Sequence, residues 1–190
     1  AKGGARPRRS VLFVWHAAEE MGLLGADYFT RRPTVPRDSI VAQINVDMIG
    51  RGNPLGNNEI GPNVFSGPDE IHVTGPRVMS TQMDSIIARV NRDYHYINFD
   101  RQMDTMGGNF FYPRTDAAPY GEVGIPFVEF VDGIHPDYHR PSDEAAKLDP
   151  RKMEGVARSV FVTLWLLAND PVTPRMDKPL PATLPFRKRQ

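Results

Sequence analysis

The sequence predicts an α/β fold: a three-layer α/β/α sandwich on a mixed, mostly parallel sheet. Two observations carry this. Short apolar or alternating runs at residues 11–15, 40–48 and 126–131 read as strands. Segments with helical spacing stand at residues 23–32, 79–90 and 150–169. Strands alternating with helices build a layered sheet. Acid or imidazole side chains stand at or after the C-terminal ends of the three runs, at Glu19-Glu20, Asp47 and His139. Parallel strands bring such ends to one edge, where ligands of α/β sheets collect.

Each element has a local reason. Residues 1–9 read as a basic loop feeding a buried strand over residues 11–15. After the Glu19-Glu20 turn and Gly22, the residues Leu23, Leu24, Ala26, Tyr28 and Phe29 form a short helix. Arg31 and Arg32 suit the negative end of its dipole, and Pro33 and Pro36 stop it. Over residues 40–48, Ile40, Ala42, Ile44, Val46 and Met48 alternate with Val41, Gln43, Asn45 and Asp47. Residues 50–69 are rich in Gly, Asn and Pro and read as a long loop, a length that is usually functional. A short strand is expected over residues 70–74, then a helix whose apolar stripe is Met79, Met83, Ile86, Ile87 and Val90. Residues 94–124 carry no clear period. A polar loop, residues 132–143, follows the strand at 126–131. Asp149 and Pro150 are an N-cap and first-turn proline for a long helix buried through Met153, Val156, Val160, Leu164 and Leu167. The domain is expected to occupy residues 1–170, with residues 171–190 a tail containing five prolines, extended and either docked or disordered.

Composition narrows the function. The chain has 190 residues, enough for one domain with a sizeable core. Lys+Arg and Asp+Glu are both 23, so the net charge of zero gives no support to a nucleic-acid or anionic-membrane partner. No apolar run is long enough to span a membrane. Without cysteine there is no disulfide and no thiolate zinc site, so a metal must be held by His, Asp and Glu. Adjacent carboxylates such as Glu19 and Glu20 repel, and a cation or a shared proton relieves that repulsion. Taken singly, an acidic pair is most often a solvated turn, Asp47 a turn former and His139 a loop histidine. Their joint placement points to a metal site.

Three stretches then resemble the di-zinc exopeptidases, the family of bacterial leucyl aminopeptidases and glutamate carboxypeptidase. They are residues 15–25 (WHAAEEMGLLG), 45–51 (NVDMIGR) and 138–143 (YHRPSD), in the family's order. The resemblance covers roughly residues 9–170. It implies a zinc-dependent aminopeptidase with two zinc ions and a peptide substrate. Glu19 is then the general base, which takes a proton from the attacking water and passes it to the leaving amine. Glu20 and His139 are ligands of one zinc, and Asp47 of the second. Tyr112, Arg114 and Asp116 become substrate-pocket residues or members of a structural hydrogen-bond network. A secreted or periplasmic location is also implied. Carboxypeptidase-type substrates, or a non-catalytic binding role like that of the transferrin receptor ectodomain, are the alternatives on the same scaffold.

Two departures from the family pattern matter. A His-x-Asp motif and a bridging aspartate precede the Glu-Glu strand in relatives, and nothing here precedes His16 that matches them. The chain is therefore expected to be the C-terminal part of a catalytic domain, with the N-terminal part missing. It is expected to be inactive alone, and to self-associate or to pair with the missing segment. Relatives also read Arg-Ser-Asp-His where this chain has Arg114-Thr115-Asp116-Ala117, which removes an imidazole. His16, His72, His95 and His135 are read as non-ligands. His135 stands four residues before His139, but on a proline-containing loop.

Overall fold

The computed structural model describes residue 4 and residues 6–53, 65–104 and 114–178. Its sheet has four strands: β1 (Gln43–Asp47), β2 (Glu70–Thr74), β3 (Asn98–Asp100) and β4 (Phe127–Val131). They lie in the order β1-β4-β2-β3. β1 pairs parallel with β4 and β2 parallel with β3, while β2 and β4 are antiparallel. The sheet is thus mixed and mostly parallel, as expected. β4 is last in sequence but central in space, and all five of its residues are buried. Side chains alternate along a strand. Val128 and Phe130 join Ile71 and Val73 in the main core. Phe127 and Val131 contribute to separate clusters, with Met79 and Ala117 in one and Met103 in the other.

Among the described residues five α-helices flank the sheet: α1 (Leu24–Arg31), α2 (Pro76–Met79), α3 (Thr81–Tyr94), α4 (Ala118–Glu122) and α5 (Pro150–Asn169). The main core sits between the sheet and the pair α3 and α5. α1 and α4 pack on each other beyond the Phe127 side, with Phe29 and Tyr120 rings 6.1 Å apart. In α3 the expected stripe Met83, Ile86, Ile87 and Val90 is buried. Each such side chain contributes about 1.5–3 kcal/mol by leaving water. Ser80 caps this helix by accepting the Met83 amide at 3.4 Å.

The start of α5 matches its sequence signals. The Asp149 carboxylate accepts the Arg151 and Lys152 amides at 2.9 and 3.2 Å. Its buried face does not match. Lys152, Gly155, Val156, Ser159, Thr163, Leu167 and Ala168 are buried, whereas Met153, Val160 and Leu164 are only half-buried. Small residues let this face approach its neighbours: a Cβ on Gly155 would stand 2.8 Å from the Tyr96 carbonyl oxygen. The polar groups on that face are satisfied, as where the Thr163 hydroxyl donates to the Ser159 carbonyl at 2.8 Å.

The expected strand at residues 11–15 is not one. The segment forms no regular structure and joins no ladder, and Leu12, Phe13 and Trp15 are 51%, 72% and 87% exposed. A run that is apolar on both faces needs cover on both and a hydrogen-bonded neighbour. Among the described residues β1 pairs only with β4, and its outer edge meets no strand. The segment is fixed at its ends instead. The Arg9 amide donates to the Ala168 carbonyl at 2.9 Å, and the Gly25 amide to that of Ala17 at 2.9 Å. Gly25 is needed there, because a Cβ would come within 2.5 Å of the Ala17 backbone. At the other end of the chain residues 171–178 dock on α2 and α3: Asp177 accepts the Thr81 amide at 2.8 Å, and Lys178 Nζ donates to the Arg77 carbonyl at 2.8 Å.

Candidate metal centre

Parallel pairing places the site. The β1–β4 register sets Asp47 opposite Val131, so both strands end at one edge. The Asp132 amide then donates to the Met48 carbonyl at 2.7 Å. The loop that follows β4 carries His139 back over this edge. The Glu19-Glu20 turn is closed by the Glu19 carbonyl, which accepts the Gly22 and Leu23 amides at 2.9 and 2.8 Å. Non-glycine residues with left-handed backbone gather here: Ala18 (φ 57°), Leu23 (φ 62°), Met48 (φ 46°) and His139 itself (φ 57°). Each costs about 1–3 kcal/mol, and such strain persists where the surroundings over-determine it.

His139 Nε2 lies 2.8 Å from Glu20 Oε1. Both side chains are exposed, and the His139 ring stacks on Tyr138 at 3.8 Å. Arg114 donates to the Tyr138 hydroxyl at 3.3 Å. Glu19 has its carboxyl pushed up to about 7, first by burial and then by the charges of Glu20, Asp47 and Asp116, against the opposing effect of His139. Asp47 is raised by burial, then by Asp116 and Glu20, with a hydrogen bond from the Met48 backbone opposing. These carboxylates therefore share one electrostatic field, which disfavours their all being ionised without a cation.

Asp116 lies deeper. Its Oδ2 is 3.3 Å from His16 Nδ1, while its Oδ1 is buried with no hydrogen-bond partner among the described residues. His16 Nε2 in turn meets the Tyr120 hydroxyl at 3.1 Å. Burial, then Asp116, pushes the Tyr120 hydroxyl up to about 12, so it stays protonated. The motif imidazole absent at Ala117 thus has a counterpart on Asp116 brought by His16.

Glu19, Glu20, Asp47, Asp116 and His139 are brought together, and Arg114 joins them through Tyr138. Tyr112 lies outside the described residues. The other histidines stand apart from Glu20: His72 is buried in β2 with Nδ1 3.2 Å from Asp100, His95 ends α3, and His135 is buried 3.7 Å from Asp143. The donor types fit zinc, which takes imidazole nitrogen and carboxylate oxygen. The unpartnered Asp116 oxygen also fits a neighbouring cation. Among the described residues no group of three or more His, Asp or Glu is close enough to hold a metal ion. The His139 and Glu20 pair offers two donors, where a catalytic zinc site takes three from protein.

Several residues around the site escaped the sequence reading. Glu129 is fully buried in β4, and a lone charge inside an apolar run was its signal. Lys152 and Asp132 form an ion pair at 2.7 Å with both side chains fully buried. Burial pushes the Lys152 ammonium down and the Asp132 carboxyl up, against their mutual attraction. Only a lysine beside the apolar stripe of α5 hinted at this. Arg51 lies within a stretch already singled out, yet without a role.

The chain is similar to known peptidases in sequence and in fold. The profile of Peptidase family M28 matches residues 1–164. Leupeptin-inactivating enzyme 1 of Streptomyces exfoliatus is 26% identical over 149 residues, covering 77% of this chain and 28% of that protein. A probable leucine aminopeptidase of Arthroderma benhamiae is 26% identical over 171 residues, covering 87% and 41%. The structure of BSAP, a zinc aminopeptidase from Bacillus subtilis, superposes with a TM-score of 0.62 at 17% identity, over 86% of this chain and 37% of that one. The chain therefore spans well under half the length of these relatives, and the last likeness is one of fold. With the profile running over most of its length, the chain belongs to peptidase family M28.

Proposed function

We propose that the complete protein is a zinc-dependent aminopeptidase that removes N-terminal residues from peptides. The observation that carries this is the 2.8 Å pairing of His139 Nε2 with Glu20 Oε1 beside a Glu19 carboxyl raised to about 7. Zinc, when bound, supplies a Lewis acid for the scissile carbonyl and makes water acidic enough to attack at neutral pH. Glu20 and His139 would hold one ion and Asp47 a second, with the remaining ligands outside the described residues. Glu19 would take the proton from the attacking water and return it to the departing amine. A carboxyl titrating near neutrality suits both halves of that transfer. Arg114, Asp116 and Tyr112 would line the substrate pocket, with Asp116 oriented by His16.

Metal analysis and hydrolysis of an aminoacyl nitroanilide by the complete protein test this reading. Two zinc ions and release of the free amino acid are expected. Cleavage only from the C-terminal side of N-blocked peptides would instead make it a carboxypeptidase. A folded protein without zinc or hydrolysis would overturn the enzymatic reading in favour of a binding scaffold.

The reading extends to partners. The apolar segment at residues 11–15 and the outer edge of β1 offer surface and backbone groups to a further strand. Residues 1–190 alone would then self-associate or pair with another segment, and bind zinc weakly.

A further inference from the structure

Two of the three ligand residues named above, Glu20 and His139, stand on loops, and one residue ties the His139 loop to the end of β4 and to α5. Arg51 lies four positions past Asp47 in sequence. Its amide donates to Asp132 Oδ2 at 2.6 Å, and its carbonyl accepts from Lys152 Nζ at 2.6 Å. Lys152 also donates to Ser66 Oγ at 2.8 Å and the Gly67 carbonyl at 2.9 Å, besides its 2.7 Å contact with Asp132. The Arg51 backbone is thus held on both sides by a buried ion pair that joins α5 to the end of β4.

From that fixed base its side chain reaches out to the His139 loop. Nη1 donates to Asp143 Oδ1 at 2.7 Å and Nη2 to Asp137 Oδ2 at 2.7 Å. These carboxylates stand on either side of His139 in sequence. Asp137 is tied further, by Ser142 Oγ at 2.7 Å and Lys147 Nζ at 2.8 Å. Among the described residues His139 has little else to orient it: its side chain is 50% exposed, and its partners there are the Tyr138 ring and Glu20. Packing cannot fix a half-exposed imidazole on a left-handed residue, so the loop must.

We propose that Arg51 is a positioning residue: it clamps both sides of the His139 loop and so sets His139 against Glu20. The clamp has a second effect. Without Arg51, among the described residues Asp143 would keep only His135 at 3.7 Å, and Asp137 only Ser142 and Lys147, leaving carboxylate oxygens on the His139 loop open to a cation. Paired with the guanidinium, they do not compete with Glu20 for the ion. A planar fork spans two carboxylates, whereas the single ammonium of lysine does not.

This rests on the zinc reading above, so the test separates the two. Zinc affinity of the complete protein is measured by competition with a chelator for wild type, Arg51→Gln, Arg51→Lys and Asp143→Asn, with kcat and KM in parallel. Partners that orient metal ligands typically affect metal affinity about 10–100-fold. Arg51→Gln is expected to weaken one of the two zinc equivalents by about that factor and to leave the other within about twofold. It should lower kcat with KM unchanged, since the groups that engage Arg51 belong to the His139 loop and the buried ion pair. Arg51→Lys should restore only part of the loss. Asp143→Asn removes one arm at an exposed carboxylate and serves if Arg51→Gln does not fold; it should weaken the same equivalent severalfold. Unchanged affinity for both equivalents in a folded Arg51→Gln or Asp143→Asn protein overturns the clamp and leaves the zinc reading intact. Wild type without zinc overturns both.

Discussion

Glu129, fully buried in β4, accepts a hydrogen bond from the Thr74 hydroxyl of the neighbouring strand β2 at 3.2 Å. Asn45 on β1 reaches the same carboxyl at 3.5 Å, so one acid links three strands of the sheet beneath the candidate site. Burial, then the charge of Asp47, pushes it up to about 7 from an ordinary 4.5, although hydrogen bonds from Thr115, Thr74 and Asn45 oppose the shift. The native state then holds a proton that the unfolded chain has lost between those two values. Stability from this group is complete below pH ~4.5, falls as pH rises through ~7, and stays low above. Glu129→Gln mimics the protonated acid and should remove that slope. The metal-free variant should gain on the order of 3 kcal/mol over wild type at pH 8 and little at pH 4. Urea unfolding of both proteins across this range is the measurement. Parallel pH dependences would show that Glu129 is ionised in the native protein.

Lys152 should matter more for what it leaves behind than for what it adds. Lys152→Met strands the Asp132 carboxylate in a site closed to water, which costs about 3–5 kcal/mol. In the double variant Lys152→Met/Asp132→Asn no buried charge is left over, and the asparagine oxygen can still accept the Arg51 amide. At least half of the lost stability should return. Additive losses in denaturant titrations would mean that the pair stabilises through packing rather than through charge matching.

Glu19 is the residue on which turnover should depend most sharply. Glu19→Gln keeps the shape and the hydrogen-bonding turn but cannot accept a proton. The complete protein should keep its zinc and lose about 10²–10⁴-fold in kcat. Zinc content by atomic absorption and turnover of an aminoacyl nitroanilide check both halves. Near-normal kcat would remove Glu19 from the role of base.

What could be read before the fold was known was local. The stripe of α3, the cap of α5 and the alternation in β1 announce themselves within a dozen residues, whereas the face that α5 buries is not the one its apolar spacing suggests. β3, with three residues, and α4, with five, are too short to show a period. Residues 11–15 have the composition of a buried strand, but pairing and cover come from elsewhere in the chain, and composition cannot supply them. The site divides in the same way. Glu19, Glu20, Asp47 and His139 stand at the ends of runs that could be recognised, and parallel pairing of β1 and β4 explains how Asp47 and the His139 loop meet. The Lys152–Asp132 pair, the Arg51 clamp and the His16–Asp116 contact join residues far apart in sequence. Each looks like an ordinary surface residue until the partner is known.

The exposed segment at residues 11–15 yields the last prediction. Trp15 and Phe13 are large apolar side chains in water, and Val46 in β1, whose outer edge meets no strand among the described residues, is 45% exposed. Burying apolar area is worth about 25 cal/mol per Å², so a surface of this kind favours association. An open strand edge adds backbone groups that a second chain can satisfy. The 190-residue chain should therefore give a scattering mass above that of a monomer, rising with concentration. Phe13→Lys with Trp15→Lys should return it to the monomer, because the lysines remove the apolar surface and repel each other across an interface. Circular dichroism of the variant should be unchanged, since neither side chain belongs to the core. Static light scattering over a dilution series decides the matter: a wild-type chain that stays monomeric at every concentration would exclude association through this edge.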